Sequence, residues 1–279
     1  MSAHGTEIAR VTLQGSRENN QDRFAVFEEH DACLLVLGDG LGGHPRGEVA
    51  AQLLVETCQK LWQAAHKPLV NPRYFLQQCA LKAHEAILGF GSRQTPPITP
   101  RTTAVMALLQ EGRCYWGHAG DSRFYLVREG EILVRSRDHV VANVLDQDKA
   151  RSLSLNPGAL TRCLGGSHSA QPLIGDPVTL QPGDIVLLCS DGFWHQLDES
   201  EMVTTLHNAF PLSKALSLLG ERAEANNIGN SDNISAVGVR LGSESFGIGQ
   251  TPMNGPLDDE EAELLQAIEH LNKLIERTL

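Results

Sequence analysis

The chain is predicted to fold as an α+β protein in which helices cover antiparallel β-sheets. Three features of the 279-residue sequence lead to this prediction. Short apolar runs typical of strands recur along the chain, two pairs of stretches with helical spacing interrupt them, and glycine-containing turns separate several neighbouring strands. The predicted order is therefore strands, two helices, strands, two helices and a final strand.

The first third of the chain contains three predicted strands followed by two long helices. Apolar and polar residues alternate over 8–13, and 24–27 is a second strand candidate. The continuous apolar run at 32–37 leads into Gly-Asp-Gly, which predicts a buried strand and then a turn. The spacing of apolar residues predicts helices over 48–62 and 72–88, and the second helix begins with a proline.

Four short strands are predicted in the middle of the chain, after a loop rich in Gly, Pro and Thr at 89–101. They lie at 103–109, 113–118, 122–127 and 131–135. The turns between them carry Glu-Gly, Gly-Asp and Glu-Gly pairs. Short strands separated by such turns are typical of a continuous antiparallel meander.

The next part of the chain contains an irregular segment, further strands and a second pair of helices. Residues 138–172 show only weak helical spacing, around 140–153. A Pro-Gly-Asp turn separates the next two strands, and two helices precede the last strand. The predicted elements are strands at 178–180, 185–189 and 234–241 and helices at 199–206 and 213–225.

The sequence divides into a domain, a linker and a terminal helix. We assign residues 1–241 to the domain, 242–257 to a flexible linker rich in Gly, Ser and Pro, and 258–279 to an amphipathic helix. Acidic residues begin this helix and basic residues end it, as the helix dipole favours. Its apolar stripe comprises Leu264, Ile268, Leu271 and Ile275. Packing on its own domain, docking to a partner, self-association and a disordered tail are the alternatives for this segment.

Composition argues against several classes of protein. The formal net charge of -11 disfavours nucleic acid as a main partner, because phosphate backbones select basic surfaces. The six cysteines show neither CxxC pairs nor zinc spacing, and we expect them to be reduced core residues. No stretch approaches the roughly 18 apolar residues of a membrane span. Residues 1–10 lack the apolar core of a signal peptide, so we expect a cytoplasmic protein that does not bind membranes.

Five aspartates in short motifs carry the functional signal. Hard divalent cations prefer carboxylate oxygens, and small neighbouring residues let backbone carbonyls and water approach the ion. An acidic protein also suits a carboxylate-rich site that bound metal partly neutralises. The motifs are Asn-Gln-Asp22-Arg, Gly-Asp39-Gly-Leu-Gly-Gly-His44, Gly-Asp121-Ser-Arg, Ser-Asp191-Gly and Ser-Asp232-Asn.

Three of these aspartates indicate a two-metal centre. Asp39 and Asp191 follow predicted strands, and Asp232 precedes the last strand. A single Asp-Gly is more often a turn than a ligand. Three such acids on neighbouring strands can, however, hold two ions. Two ions about 3.5–4 Å apart bind a phosphate and lower the pKa of a bridging water.

Eight motifs occur in an order that is specific to one family. They are Arg17-Glu-Asn-Asn-Gln-Asp22, Gly38-Asp-Gly-Leu-Gly-Gly-His44, Thr102-Thr103, Gly120-Asp-Ser-Arg123, Asp138-His139, Leu160-Thr-Arg-Cys-Leu-Gly165, Ser190-Asp-Gly192 and Ser231-Asp-Asn233. In these motifs the chain resembles the metal-dependent protein phosphatases of the PPM, or type 2C, family in its bacterial form. The resemblance covers residues 8–241 and implies a four-layer αββα sandwich, with two antiparallel sheets flanked by pairs of helices.

The resemblance also implies metal-binding roles, with Mn²⁺ or Mg²⁺ as the ions. By this resemblance, two ions would occupy the core site, and a third would be held more weakly. The implied ligands are Asp39 as the bridge between both ions, Gly40 through its carbonyl, Asp191 and Asp232 on the other ion, Asp22 through metal-bound water, and Asp121 with Asp191 on the third ion.

Arg17 is implied to clamp the phosphate, a role that suits the planar fork of a guanidinium. In the implied mechanism a metal-bridging hydroxide attacks phosphorus in line and the serine or threonine oxygen leaves. No phosphoenzyme forms, so no cysteine or serine nucleophile is expected. The implied substrates are phosphoproteins, and the enzyme would oppose a bacterial serine/threonine kinase.

Several positions depart from the family pattern. Gln21 stands where many members have glutamate, and Leu41 replaces a catalytic histidine of eukaryotic members. His44 is a candidate proton donor, with a water as the donor or a structural role for His44 as the alternatives. Arg101 stands where glycine usually precedes the two threonines. His118 occupies a position that is usually small, aliphatic or Asn, and we expect a packed strand histidine there.

Two other functions compete with a protein phosphatase. One is a catalytically silent module of the same fold that binds partners, and the presence of all five metal acids argues against it. The other is hydrolysis of a small phosphomonoester, because fold alone does not decide substrate. The family's flap, residues 138–172 here, is implied to influence substrate choice, but nothing in it names a substrate. The ratio of activity on phosphopeptides to activity on metabolites separates these two hydrolases.

Overall fold

The computed structural model describes residues 5–29, 31–144, 156–166, 171–243 and 245–248. Within these ranges the chain forms two antiparallel β-sheets that pack face to face, and helices cover their outer faces. The predicted α+β class and the four-layer αββα sandwich are therefore confirmed.

The described residues contain eleven strands and six α-helices, and a 3-10 helix at Ser245–Gly247. The strands are β1 (Glu7–Leu13), β2 (Arg23–Glu29), β3 (Ala32–Gly38), β4 (Ala104–Gln110), β5 (Arg113–Ala119), β6 (Arg123–Arg128), β7 (Glu131–Arg135), β8 (Leu173–Ile174), β9 (Val178–Thr179), β10 (Ile185–Cys189) and β11 (Ile234–Arg240). The helices are α1 (Gly47–Ala64), α2 (Pro72–Ser92), α3 (Val141–Val144), α4 (Asp191–Trp194), α5 (Glu199–Asn208) and α6 (Leu212–Ala225). Only β8 and the single turn α4 were not predicted.

The order of the strands within each sheet differs from their order along the chain. One sheet has the order β1-β11-β10-β6-β7, and the other has the order β2-β3-β4-β5-β8, with β9 also paired to β5. In the first sheet β1 pairs with β11 over its whole length, from Glu7 opposite Arg240 to Leu13 opposite Ile234. The first and last described strands therefore lie side by side.

Side-chain caps mark the start of two helices, α2 and α5. The Asn71 side chain accepts a hydrogen bond of 3.0 Å from the backbone N–H of Tyr74, and Pro72 occupies the first turn of α2. Asp198 caps α5 in the same way, because its carboxylate accepts from the N–H groups of Ser200 and Glu201. These caps satisfy backbone donors that the helix itself leaves unpaired.

Strand alternation builds three separate apolar cores. On β3, Leu34 and Val36 face α1 and α2, whereas the residues between them face the other sheet. On β10, Leu187 faces α5 and α6, and Val186 and Leu188 face the core between the sheets. Both strands are buried on both faces, which explains why they read as continuous apolar runs in the sequence.

The predicted continuous meander is wrong at one turn. β4 and β5 pair in one sheet and β6 and β7 pair in the other, so the chain changes sheets at 120–122. Gly120 makes this crossing with φ +116°, and a Cβ there would lie 2.7 Å from Cγ2 of Thr103. Gly-Asp is a turn signal in both settings. Local sequence therefore could not distinguish a hairpin from a crossing between stacked sheets.

The packed region extends beyond residue 241, where the sequence places the start of the linker 242–257. Phe246 and Ile248 are buried in the core between the sheets, and the carbonyl of Phe246 accepts a hydrogen bond from the N–H of Gly112. The beginning of the predicted linker is thus part of the packed domain. The rest of the linker and the predicted helix 258–279 lie outside the described residues.

All six cysteines are free thiols, and five are buried, as expected for core residues. Cys163 is the exception, because it is only half-buried. No helix in the described ranges has the length and apolarity needed to cross a lipid bilayer.

Candidate active site

An open pocket of about 530 Å³ lies where loops from both sheets meet. Its walls come from the loop after β1, the loop after β3, the crossing at 120–122 and the ends of the loops that flank β10 and β11. Most of the predicted site residues line it, namely Arg17, Asp39, Gly40, Asp121, Asp191 and Asp232. Asp22 is buried beside this group with 4% of its surface exposed. His44 is not among the lining residues.

The backbone of Asp39 is held by two threonines at the start of β4. Its N–H donates to Oγ1 of Thr103, and its carbonyl accepts from the N–H of Thr103 at 2.8 Å and from Oγ1 of Thr102 at 2.9 Å. These three bonds fix the backbone from which the Asp39 carboxylate enters the pocket. The Thr102-Thr103 motif therefore acts by positioning this aspartate.

Gly40 and Gly47 allow the loop after β3 to touch the start of α1. A Cβ on Gly40 would lie 2.4 Å from the carbonyl carbon of Gly47, and a Cβ on Gly47 would lie 2.8 Å from the carbonyl carbon of Gly40. No side chain fits at that distance. The close approach sets the direction of the Gly40 backbone at the edge of the pocket.

Asp22 and Asp191 are linked through Ser190 at the end of β10. The Ser190 hydroxyl donates to Oδ2 of Asp22 at 3.0 Å, and the N–H of Ser235 donates to the Ser190 hydroxyl at 3.0 Å. Asp191 follows directly and begins α4, and its charge acts on the carboxyl of Asp39. The order of strands β10 and β11 thus brings acids from distant parts of the sequence into one cluster.

Arg17 makes an ion pair with Asp232 across the mouth of the pocket. Nη2 of Arg17 lies 2.7 Å from Oδ2 of Asp232, and both side chains are about half exposed. Asn233 braces the same loop, because its side-chain oxygen accepts from the N–H of Gln21 and its amide donates to the carbonyl of Gln14. These bonds hold the Arg17 loop against the start of β11.

Asp121 is positioned by a chain of contacts that starts at Trp194. The indole Nε1 of Trp194 donates a 3.0 Å hydrogen bond to the carbonyl of Asp121. The Arg123 guanidinium stacks on the Trp194 ring at 3.2 Å from its centroid and makes a two-pronged ion pair with Asp138 at 2.8 and 2.9 Å. The crossing between the sheets is therefore held by Trp194 through the Asp121 carbonyl and by Asp138 through the Arg123 side chain.

Four acids of the cluster have a raised pKa. Burial, and then the charges of neighbouring aspartates, raise the pKa of Asp22 and of Asp121 to about 7. Hydrogen bonds from Ser235 and Ser190 oppose the shift of the Asp22 pKa. Burial and the charges of the other four aspartates also raise the pKa of Asp39, and burial with the charge of Asp232 raises that of Asp191.

The cluster fits divalent cations by its chemistry. Oδ1 of Asp22 and Oδ1 of Asp191 are buried without a hydrogen-bond partner, and a cation relieves both this cost and the mutual repulsion of the carboxylates. In the described part of the chain, however, no three His, Cys, Asp or Glu side chains are grouped closely enough to hold one metal ion. Arg17 engages Asp232, so this ion pair must change for Asp232 to hold an ion.

Comparison with known proteins agrees with this geometry. The family model described as protein phosphatase 2C matches residues 14–225, which include every aspartate of the cluster except Asp232. The chain belongs to the protein phosphatase 2C family. The eight motifs that resemble this family are thus explained by membership in it.

Bacterial serine/threonine phosphatases are among the similar proteins. The protein phosphatase PhpP of Streptococcus pneumoniae is 29% identical over 255 residues, which cover 85% of this chain and 98% of PhpP. The serine/threonine phosphatase PstP/Ppp of Mycobacterium tuberculosis matches with a TM-score of 0.71 and 27% identity, over 85% of this chain and 99% of that chain. A structure of the PstP catalytic domain in complex with two manganese ions matches with a TM-score of 0.70 and 26% identity, over 85% of this chain and 98% of that chain.

Two histidines of this phosphatase 2C chain are packing residues. His118 is buried on β5, stacks on His139 with ring centroids 4.3 Å apart, and its Nε2 lies 2.9 Å from the carbonyl of Arg137. The expected packed strand histidine is confirmed. His139 is also structural, because it exchanges hydrogen bonds with the backbone of Gly120.

His44 stays a prediction as a proton donor. Burial, and then the positive charge of Arg101, lower its pKa, and its backbone N–H donates to the carbonyl of Leu41. Gln21, the neutral departure before Asp22, donates from Nε2 to Glu48 at 3.4 Å while it lines the pocket.

Sequence reasoning missed two residues that organise the site. Trp194 and Asn233 touch the site through hydrogen bonds to backbone, and such contacts have no periodic or compositional signal. Asn233 stands inside a recognised motif, Ser-Asp-Asn, but its partner Gln14 lies near the other end of the chain. The motif marked the position of Asn233 without indicating its task.

Proposed function

We propose that this chain is a metal-dependent protein serine/threonine phosphatase that hydrolyses phosphoserine and phosphothreonine. The observation that carries the proposal is the convergence of four aspartates and one arginine on a single open pocket, with Asp22 buried beside them. A cluster of carboxylates with raised pKa values is costly in an ion-free protein and is typical of a functional site. Family membership and the serine/threonine phosphatases among the relatives support the same activity.

The proposed cofactors are two ions of Mn²⁺ or Mg²⁺ in the core site, and a third, weaker ion. Asp39, Asp191 and Asp232 would hold the core pair with the Gly40 carbonyl, Asp22 would contribute through water, and Asp121 with Asp191 would hold the third ion. When bound, such ions supply an activated water and stabilise negative charge that develops on the phosphate oxygens. The two manganese ions in the PstP structure support this assignment.

Arg17 is proposed to bind the phosphate of the substrate. Its guanidinium already lies at the mouth of the pocket, where Asp232 orients it. A planar fork of N–H donors matches two oxygens of a phosphate, so Arg17 both orients the group and offsets its charge in the transition state. Because both side chains of the pair are about half exposed, the Arg17 guanidinium can release Asp232 and bind the substrate phosphate instead.

The first test is phosphate release from a phosphothreonine peptide with manganese, with excess chelator, and with an Asp191→Asn variant. Activity that needs manganese and collapses in the variant is the expected result. Lack of hydrolysis together with lack of metal binding in calorimetry would reject the enzyme in favour of a catalytically silent binding module. Lack of hydrolysis with intact binding, but turnover of small phosphomonoesters, would favour a metabolite phosphatase.

The proposed partners are phosphorylated proteins in the cytoplasm that a serine/threonine kinase modifies. Residues 258–279 are proposed to dock a partner or a second copy of the chain, because their sequence predicts an apolar stripe after a linker. The test is deletion of residues 250–279, which spares the buried Phe246 and Ile248. We expect either a lower oligomeric mass in light scattering, or loss of a bound partner while full phosphatase activity is retained. Unchanged mass with loss of core stability would instead indicate packing on the same domain.

A further inference from the structure

Arg101 is a half-buried cation without a carboxylate partner among the described residues. Its Nε is buried and has no hydrogen-bond acceptor. Three other buried or half-buried arginines pair with a carboxylate, since Arg123 lies 2.8 Å from Asp138, Arg128 lies 2.8 Å from Asp184 and Arg240 lies 3.1 Å from Glu7. Half-buried Arg23 donates instead to the backbone carbonyls of Asn20 and Asp22. An arginine that is partly desolvated without a counter-ion costs free energy, and this cost falls when an anion binds.

The position of Arg101 is at the junction of two walls of the pocket. Its carbonyl accepts a 3.0 Å hydrogen bond from the N–H of Leu41, which lines the pocket on the loop after β3. The next residue, Thr102, forms β-bridges to Gly40 on one side and to Leu164 on the other. Residues 160–164 thus run alongside Arg101, and Leu160 at their start also lines the pocket.

The guanidinium of Arg101 lies between these two walls. Its positive charge acts on the Cys163 thiol of one wall, where it opposes the rise in pKa that burial causes, and on the His44 ring of the other, whose pKa it lowers. The Cys163 thiol is in turn within electrostatic range of Asp121, one of the acids of the cluster. Arg101 is therefore a cation beside the catalytic pocket, on a different segment of the chain from Arg17.

We propose that Arg101 forms an anion-binding subsite that receives a carboxylate or a second phosphate group of the substrate, close to the residue that carries the scissile phosphate. The proposal rests on the phosphatase function proposed above. A guanidinium suits either group, because both offer two oxygens to its fork. The subsite would favour phosphorylated segments with acidic neighbours, although the protein as a whole has a net charge of -11.

The test uses three phosphothreonine peptides of equal length on the full chain with manganese. Their flanking residues are neutral, or include glutamates, or include a non-hydrolysable phosphonate analogue of phosphoserine. We expect kcat/KM for at least one charged peptide to exceed that for the neutral peptide about tenfold, as loss of one charged hydrogen bond implies. The peptide that gains identifies whether a carboxylate or a second phosphate is preferred.

Arg101→Gln should abolish this preference and leave the neutral peptide and para-nitrophenyl phosphate unchanged. Arg101→Lys, which keeps the charge without the fork, should retain part of it. Arg93→Gln, at an exposed position after α2, is the matched control and should retain all of it. Equal rates on the three peptides, or an equal loss on all substrates in Arg101→Gln, would overturn the subsite alone. If no substrate were hydrolysed even by the unmodified chain, the phosphatase function would fall first.

Discussion

Nε1 of Trp194 donates a 3.0 Å hydrogen bond to the carbonyl of Asp121, which joins the turn after β10 to the crossing between the two sheets. This bond fixes the distance between the two backbone segments that carry Asp121 and Asp191. Because the two acids share a proposed weak ion, this single bond connects the packing of a tryptophan to the chemistry of the pocket.

Trp194→Phe should weaken the third ion without destroying the site. Phenylalanine keeps most of the stacking on Arg123 but loses the donor, so we expect a loss of about 1 kcal/mol in the free energy of unfolding. The manganese concentration for half-maximal activity should rise by up to about fivefold, the factor reached when the whole of this loss falls on the ion-bound state. Trp62→Phe, a buried position near the end of α1, is the control and should change stability only. An identical manganese dependence in both variants would contradict the role of Trp194.

Arg17→Ala should lower kcat/KM about 100-fold, because a donor aimed at developing phosphate charge is lost. Arg17→Lys should recover only part of the rate, since an ammonium lacks the fork. Arg10→Ala, at an exposed position on β1, should leave the rate unchanged. Manganese affinity measured by calorimetry should not fall in Arg17→Ala, because Asp232 is released from its partner. A large fall in metal affinity would make Arg17 a support for the metal site instead.

Gly40→Ala should destabilise the protein by about 1–3 kcal/mol, the usual cost of overpacking. The added methyl would lie 2.4 Å from the backbone of Gly47, and neither segment is at the end of a flexible side chain. Gly89→Ala, within α2, meets nothing closer than 3.4 Å and should leave stability unchanged or raise it by up to about 1 kcal/mol. Chemical denaturation of both variants measures the difference. Equal stability of the two would show that the loop after β3 yields easily.

Chelation of metal should destabilise the protein more at pH 8 than at pH 5. In the ion-free protein the pKa of Asp22 and of Asp121 is raised to about 7, whereas unfolded aspartate titrates near about 4. The stability that these protons contribute is complete below about pH 4 and is lost as pH rises toward 7. Bound ions favour the ionised carboxylates, so the stabilisation by manganese should grow over the same range.

Thermal midpoints with manganese and with excess chelator at pH 5, 6, 7 and 8 measure this effect. Asp121→Asn removes one of the titrating groups, so its ion-free midpoint should depend less steeply on pH. An ion-free midpoint that rises from pH 6 to pH 8 would mean that other groups dominate the pH dependence of stability.

Much of the fold was predictable because its elements have strong local signals. The apolar run before Asp39 and the proline at the start of α2 are signals that depend only on a few neighbouring residues. The strand and the helix are both present where these patterns predict them. The crossing at Gly120 was not predictable in the same way, because a Gly-Asp pair fits a hairpin as well as a change of sheet. Burial of Phe246 depends on a core that forms between distant strands, so composition alone marked it as linker.

The sequence by itself determined the class of fold, the family and the acids of the pocket, because strand and helix periodicity and short motifs are local properties of the chain. Tertiary structure alone decided how those acids interact. The pairing of β1 with β11 and of β10 with β6 brings Arg17, Asp191 and Asp121 to one edge, and burial there raises the pKa of the carboxyls. The bonds from Trp194 and Asn233, and the unpaired Arg101, are likewise products of contacts between segments far apart in sequence. Contacts of that kind depend on the packed arrangement of the sheets, which no local pattern encodes.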